Sequence, residues 1–223
     1  MTTHSAPTIV RRSEKPDEMT TQHQLSSGVF NVAFFNDVIQ TTVTNDPAMA
    51  SRWISGVTSL YGRRRMVGLD VEWRPNSPNR PDNPAAILQI SVGRLCLIYQ
   101  LIHSPYFPRH LAQFLSFYGH DFVGVGVKSD LEKLRRDHRM GYTATPVDLR
   151  GLAADVYGST NLKKAGLQEL ARTVLGTKME KPKAVTMSRW DNRCLSPEQV
   201  RYASVDAFVS FQIGRVLYAR AGF

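Results

Sequence analysis

Between Met66 and Trp73 the chain reads Met-Val-Gly-Leu-Asp-Val-Glu-Trp, an apolar run of strand length carrying two acids, Asp70 and Glu72. Side chains alternate across a strand, so residues two apart share a face. Both carboxylates therefore stand on one side of an otherwise apolar strand. Carboxylates held that close repel each other and resist burial unless a cation lies between them. Few folds can accommodate such a strand. A solvated edge strand would also carry the pair, so the pattern alone does not decide between the two.

Two further stretches bear on the choice. Phe122 to Val127 is an apolar, glycine-punctuated run of strand length, as expected of a buried central strand. Asp130 follows it at the start of a predicted helix, Ser129 to Arg139, where a carboxylate gains from the helix dipole. An ordinary N-terminal aspartate would read the same way. Near the C-terminus, Ser196, Pro197 and Gln199 form a cap, a first-turn proline and a capping box. The helix they open runs to about Tyr218 and contains Tyr202-Ala-Ser-Val-Asp206. The i, i+4 spacing puts the phenol and the carboxylate on one helical face. A core tyrosine and a surface acid would also fit there. Each reading is credible singly, but the three in this order, each on the expected element, argue for one acidic constellation.

The remaining text places these elements in an α/β fold with a mixed sheet flanked by helices. Val29 to Phe35 and Val38 to Val43 read as strands split by Asn36-Asp37, and a helix opened by Asn45 or Asp46 followed by Pro47 runs to about Tyr61. Ala86 to Val92 and Leu95 to Leu101 are strands around Gly93-Arg94, separated from the acidic strand by a proline-rich loop. Helices are expected over Tyr106 to Tyr118, Asp148 to Tyr157 and Leu162 to Leu175. Residues 1–27 are polar, with little to bury, and read as a disordered tail; residues 28–223 form one domain.

Hydrophobic content of 42% excludes wholesale disorder, and no apolar run of transmembrane length occurs. The N-terminus lacks the apolar core of a secretory signal. Cys96 and Cys194 make neither a disulfide framework nor a metal cluster and suit a reducing compartment. The net charge is +9, all of it beyond residue 25, and invites a polyanion. Residues 161–193 hold eight basic and three acidic side chains, although a solvated lysine surface would look alike.

Chemically, hard divalent cations such as Mg²⁺ or Mn²⁺ want carboxylate oxygens. Two of them about 4 Å apart can clamp the attacking and leaving oxygens of a phosphodiester. Asp70, Glu72, Asp130 and Asp206 are the candidate ligands of two such cations. Tyr202, with an ordinary pKa near 10, suits orienting a water better than taking its proton.

These stretches resemble the DEDD 3′–5′ exonuclease superfamily in its tyrosine branch, which includes the ribonuclease D type and the Werner-syndrome-type exonuclease domains. The matching text is Gly68-Leu-Asp70-Val-Glu72-Trp73, Gly124-Val-Gly126-Val-Lys-Ser-Asp130 and Tyr202-Ala-Ser-Val-Asp206-Ala, supported by Gln89-Ile-Ser and Ser188-Arg-Trp190. It looks most similar to the plant stand-alone Werner-like exonucleases. The resemblance implies an RNase-H-like fold and release of nucleoside 5′-monophosphates from 3′ ends. It implies that Asp70, Glu72 and Asp206 hold the metal nearer the nucleophile, that Asp70 bridges to the second, and that Asp130 holds that one largely through water. Tyr202 would position the attacking water. The histidine branch places its His five residues before the last Asp, where this chain has Arg201.

Candidate substrate contacts are Trp73, Lys128, Lys181, Lys183 and Arg189, with core packing the competing reading for Trp73. DNA is the expected polymer, with a helicase or end-binding protein acting in trans; an exoribonuclease and a non-catalytic nucleic-acid adaptor are the alternatives. Arg63-Arg64-Arg65 resembles a nuclear-import run, and the nucleus is favoured over the cytoplasm. A folded-surface or phosphate-contact role suits these arginines at least as well.

Overall fold

The computed structural model describes residues 9–11, 27–62 and 65–222. Its strands are β1 (Ile9–Arg11), β2 (Gly28–Phe34), β3 (Asp37–Thr44), β4 (Arg65–Glu72), β5 (Ile87–Val92), β6 (Leu95–Gln100), β7 (His120–Gly124) and β8 (Thr145–Asp148). They form one sheet in the order β1-β2-β3-β6-β5-β4-β7-β8. β3 runs parallel to β6, and β4, β7 and β8 run parallel to one another, while the other neighbours are antiparallel. The helices are α1 (Pro47–Tyr61), α2 (Arg109–Leu115), α3 (Val127–His138), α4 (Leu149–Tyr157), α5 (Leu167–Leu175), α6 (Lys183–Thr186) and α7 (Pro197–Ala221). The mixed α/β sheet expected from the sequence is present, and its architecture is RNase-H-like.

Helices cover both faces. Val67, Leu69 and Val71 of β4 join Ile54 of α1, Leu111 of α2 and Leu131 of α3 in one core. On the other face, Leu149 of α4, Leu170 of α5 and Phe208 and Ile213 of α7 make a second. A strand buried on both faces cannot show the clean apolar–polar alternation of an exposed sheet. The exception on β4 is the even-numbered row, Met66, Gly68, Asp70 and Glu72, which faces α7.

Local signals set several boundaries. Asp46 caps α1 by accepting from the Ala48 amide at 2.9 Å. At α7, Ser196 Oγ accepts from the Gln199 amide at 3.2 Å and Gln199 Oε1 accepts from the Ser196 amide at 2.9 Å. Other expectations need correction. The helix expected over 106–118 is confined to Arg109–Leu115, because the residue before Pro108 is pushed out of the helical region. The helix expected over 162–175 is broken: a 3₁₀ turn over Thr160–Lys164 ends at an extended Ala165, and α5 starts after Gly166. The strand expected over 122–127 ends at Gly124, and Gly126, at φ +77°, turns the chain into α3. Strand β8 was not expected; Pro146 is tolerated there because β8 is the sheet edge.

Most of the segment read as a disordered tail, 1–27, lies outside the described residues, as do Arg63 and Arg64 of the basic run. Ile9–Arg11 within that segment pairs antiparallel with Phe30–Val32. No helix among the described residues is long and apolar enough to cross a membrane.

Candidate active site

The site begins with a close approach. A Cβ on Gly68 would lie 2.1 Å from the Ala207 carbonyl oxygen and 2.9 Å from the Phe211 amide nitrogen. Only a residue without a side chain lets α7 lie this close to β4. Two residues along the strand, Asp70 then meets the face of α7 that carries Asp206 and Tyr202. Asp206 is 2% exposed and Tyr202 5%. From a third direction, the turn at Gly126 starts α3 so that Asp130 falls in its first turn, 9% exposed.

Electrostatics show that these acids share one space. Desolvation raises Asp70 to about 7, helped by the nearby Asp206. Desolvation raises Glu72 to about 9, with Asp70, Asp206 and Asp130 all adding repulsion. Asp130 is raised to about 8 by desolvation and then by Asp70 and Asp148. Desolvation also lifts Asp206, against the pull of Lys181 and the Tyr202 hydroxyl. The four expected acids are therefore brought together. Tyr202 is raised well beyond its ordinary value by burial and by Asp206, Glu72 and Asp70, so its phenol stays protonated at any physiological pH.

One cation answers this charge. Lys181 Nζ lies 3.2 Å from Asp206 Oδ2 and 5.2 Å from the centroid of the Tyr202 ring. Desolvation pulls this lysine down, but Asp206, Asp70 and Glu72 outweigh it and hold it above its ordinary value. Asp206 Oδ1 is buried with no hydrogen-bond partner among the described residues. An orphaned carboxylate oxygen, an ammonium drawn in among four acids and an all-oxygen donor set together fit a hard divalent cation. Among the described residues, no three His, Cys, Asp or Glu side chains are already gathered into a metal cage.

The segment bearing Lys181 is tied to α7. Gln199 Nε2 donates to Ser188 Oγ at 2.9 Å and to the Arg189 carbonyl at 3.3 Å. Trp190, fully buried, packs 5.8 Å from the Tyr202 ring and donates to the Thr186 carbonyl at 3.3 Å. The expected substrate contacts fare differently. Lys181 is in the site. Lys183 and Lys128 are exposed, with no ion pair among the described residues. Arg189 reaches Asp191 at 3.4 Å, and Arg74 reaches the same carboxylate at 3.5 Å, a pairing across the rim that no sequence spacing signals. Trp73 is half-buried against the α1–α3 core, and Lys133 Nζ sits 4.6 Å above its ring, so one face of that ring is already taken. Gln89, opposite Asp70 on β5, is fully buried, and both its amide atoms lack a hydrogen-bond partner among the described residues. It is a further polar group of the site, and its signal was a lone amide in an apolar strand.

A stability prediction follows from the raised acids. A carboxyl whose folded pKa exceeds its ordinary value near 4 stays protonated in the native state over the interval. The native protein then binds more protons than the unfolded chain, and stability falls as pH rises. In chelator, the melting temperature is expected to drop by roughly 3–6 °C between pH 6 and pH 9. Glu72→Gln should flatten that slope, and calorimetry on both proteins checks it.

Comparison with known proteins places the chain among nucleases. The 3′–5′ exonuclease family model matches residues 43–219. The chain is 32% identical over 150 residues to the Drosophila melanogaster exonuclease 3′–5′ domain-containing protein 2, covering 67% of this chain and 24% of that protein. It is 31% identical over 153 residues to an Arabidopsis thaliana 3′–5′ exonuclease, covering 68% of this chain and 52% of that protein. The chain thus spans from about a quarter to about half of these relatives. Among solved structures, Escherichia coli RNase D, an exoribonuclease involved in structured RNA processing, superposes with a TM-score of 0.65 at 15% identity, over 81% of this chain and 44% of that one. At that identity the likeness is one of fold.

Proposed function

The chain belongs to the 3′–5′ exonuclease family, and from that membership we propose that it removes nucleoside 5′-monophosphates from the 3′ ends of DNA by divalent-metal-dependent hydrolysis using two cations. The convergence of Asp70, Glu72, Asp130 and Asp206 on one space, with Lys181 standing in for a cation, carries the reading. The motifs around these residues resemble the Werner-type domains, which is the ground for choosing DNA.

The four carboxylates would hold the cations. When bound, such ions supply a water of lowered pKa and neutralise charge on the phosphate. The chain does the rest. Tyr202, kept protonated by its acidic neighbours, donates a hydrogen bond that orients the attacking water and does not remove its proton. Lys181, once its acids are neutralised, is free to turn its ammonium to the phosphate being cut. The exposed Lys183, Arg189 and Lys128 are the candidate contacts for the phosphates of the incoming strand.

The test is a labelled 3′-end assay on single-stranded DNA, recessed-3′ duplex and RNA of one sequence, with Mg²⁺, Mn²⁺ or EDTA. A ladder shortening from the 3′ end, faster on DNA and absent in EDTA, is expected. Preference for RNA would replace DNA with RNA as substrate. Binding without degradation in either metal would indicate an adaptor. Tyr202→Phe is expected to slow shortening about 10–100-fold with unchanged melting temperature. An unchanged rate would remove the phenol from its assigned role.

A further inference from the structure

Within β5, Gln89 lies directly opposite Asp70 of β4 on one side and Ile98 of β6 on the other. Directly opposed residues of antiparallel strands send their side chains to one face, with Cβ atoms about 5 Å apart. Ile87 and Ile98, on that same face, belong to the core that α7 covers. Gln89 is therefore enclosed between the sheet and α7, beside the acidic row of β4. It is 0% exposed, and neither its Oε1 nor its Nε2 has a hydrogen-bond partner among the described residues.

An amide enclosed with both polar atoms unpaired is less stable there than an apolar side chain of the same shape. The fold gains nothing from it, which points to a task outside the fold. Ser91 sharpens the argument. It stands on the next rung of the same face, equally buried, with its hydroxyl unpartnered among the described residues. Its opposite number is Gly68, which offers no side chain to meet it. Orphaned polarity alone thus marks no task; the place opposite Asp70 does. The amide and the Asp70 carboxylate are not bonded to each other, but both side chains extend from Cβ atoms about 5 Å apart, so rotation about the Gln89 side chain joins them. An amide N–H donated to a carboxylate favours its charged form and fixes the direction of its oxygens. Hydrogen bonds of this kind orient the acids that hold metals.

We infer that Gln89 is a positioning residue of the exonuclease site, its Nε2 donating to Asp70 and holding that carboxylate in the orientation that binds a divalent cation. The inference rests on the metal site proposed above and adds to it a side chain that touches neither cation nor substrate.

Gln89→Met keeps length and bulk and removes both polar atoms. In chelator the variant should melt roughly 2–6 °C above the natural protein, because the orphaned amide is gone. The Mg²⁺ concentration that gives half of the metal-dependent rise in melting temperature should increase about 10–100-fold. Half-maximal 3′-end shortening should need correspondingly more Mg²⁺, while the half-saturating DNA concentration at saturating Mg²⁺ stays within about twofold. Gln89→Asn, which keeps the amide and withdraws it by one methylene, should weaken Mg²⁺ in the same direction and covers the case of a poorly folding Met variant. Ser91→Ala is the control: it should raise the melting temperature in chelator and leave the Mg²⁺ dependence as it is. Mg²⁺ binding unaltered in Gln89→Met would overturn the assignment while leaving the metal site standing. A lower melting temperature in chelator with unchanged Mg²⁺ dependence would make the amide structural and overturn it too. So would an equal loss of Mg²⁺ affinity in Ser91→Ala. A natural protein that gains no stability from Mg²⁺ would instead sink the metal site itself, and this inference with it.

Discussion

Replacing Asp206 by alanine is expected to cut 3′-end shortening at least about a thousandfold while leaving the fold in place. Asp206 is the most enclosed of the four acids, and one of its oxygens has no partner among the described residues. It also raises Asp70 and Glu72, so its removal relieves repulsion among buried carboxylates. The metal-free variant should therefore melt no lower than the natural protein. Lys181 loses its partner, but its side chain is 37% exposed and can turn to water. The second readout is metal. Mg²⁺ should raise the melting temperature of the natural protein, by preferential binding to the folded state, and should raise that of the variant much less. A rate within tenfold of the natural protein would remove Asp206 from the proposed metal site. A variant that fails to fold would show the carboxylate to be structural instead.

Gly68→Ala is expected to have the largest effect on the molecule as a whole. The new methyl would sit 2.1 Å from the Ala207 carbonyl oxygen, and both contacting atoms are backbone. Neither can rotate away, so β4 and α7 must separate by about 1 Å. Overpacking of this severity costs about 3–5 kcal/mol, or roughly 10 °C of melting temperature. The same displacement widens the gap between Asp70 and Asp206. A shift of about 1 Å in catalytic groups can cost about a hundredfold in rate, so activity should fall in whatever fraction remains folded. Gly56→Ala is the control. Gly56 lies in α1 with nothing within 4 Å of the position a Cβ would take. That change should raise stability by about 0.5–1 kcal/mol. A Gly68→Ala protein that melts within 2 °C of the natural one would show, on that scale, that the close approach is not needed.

Much of the site was legible because its signals are local. Alternation along β4 put Asp70 and Glu72 on one face, and the i, i+4 spacing put Tyr202 and Asp206 on one face of α7. The capping box at Ser196 and Gln199 and the cap at Asn45 or Asp46, which the structure assigns to Asp46, marked where two helices begin, since the hydrogen bonds that define them span two or three residues. Local rules failed where a distant neighbour decides. Pro146 argues against a strand until the sheet edge makes its missing amide harmless. The break at Ala165 and Gly166 interrupts what composition reads as one helix.

By itself, then, the sequence determined which residue types stand on which element and which of them share a face. Periodicity belongs to each strand or helix alone, and it survives whatever the element packs against. Only the tertiary structure decided that the acidic row of β4 meets α7, that Gly68 makes that contact possible and that Lys181 is the cation drawn to Asp206. It alone set Lys133 over Trp73 and left two nitrogens of the buried Arg65 without a hydrogen-bond partner among the described residues. These outcomes depend on contacts between residues far apart in the chain, whose distances are fixed by packing and whose charges interact only once water has been excluded between them.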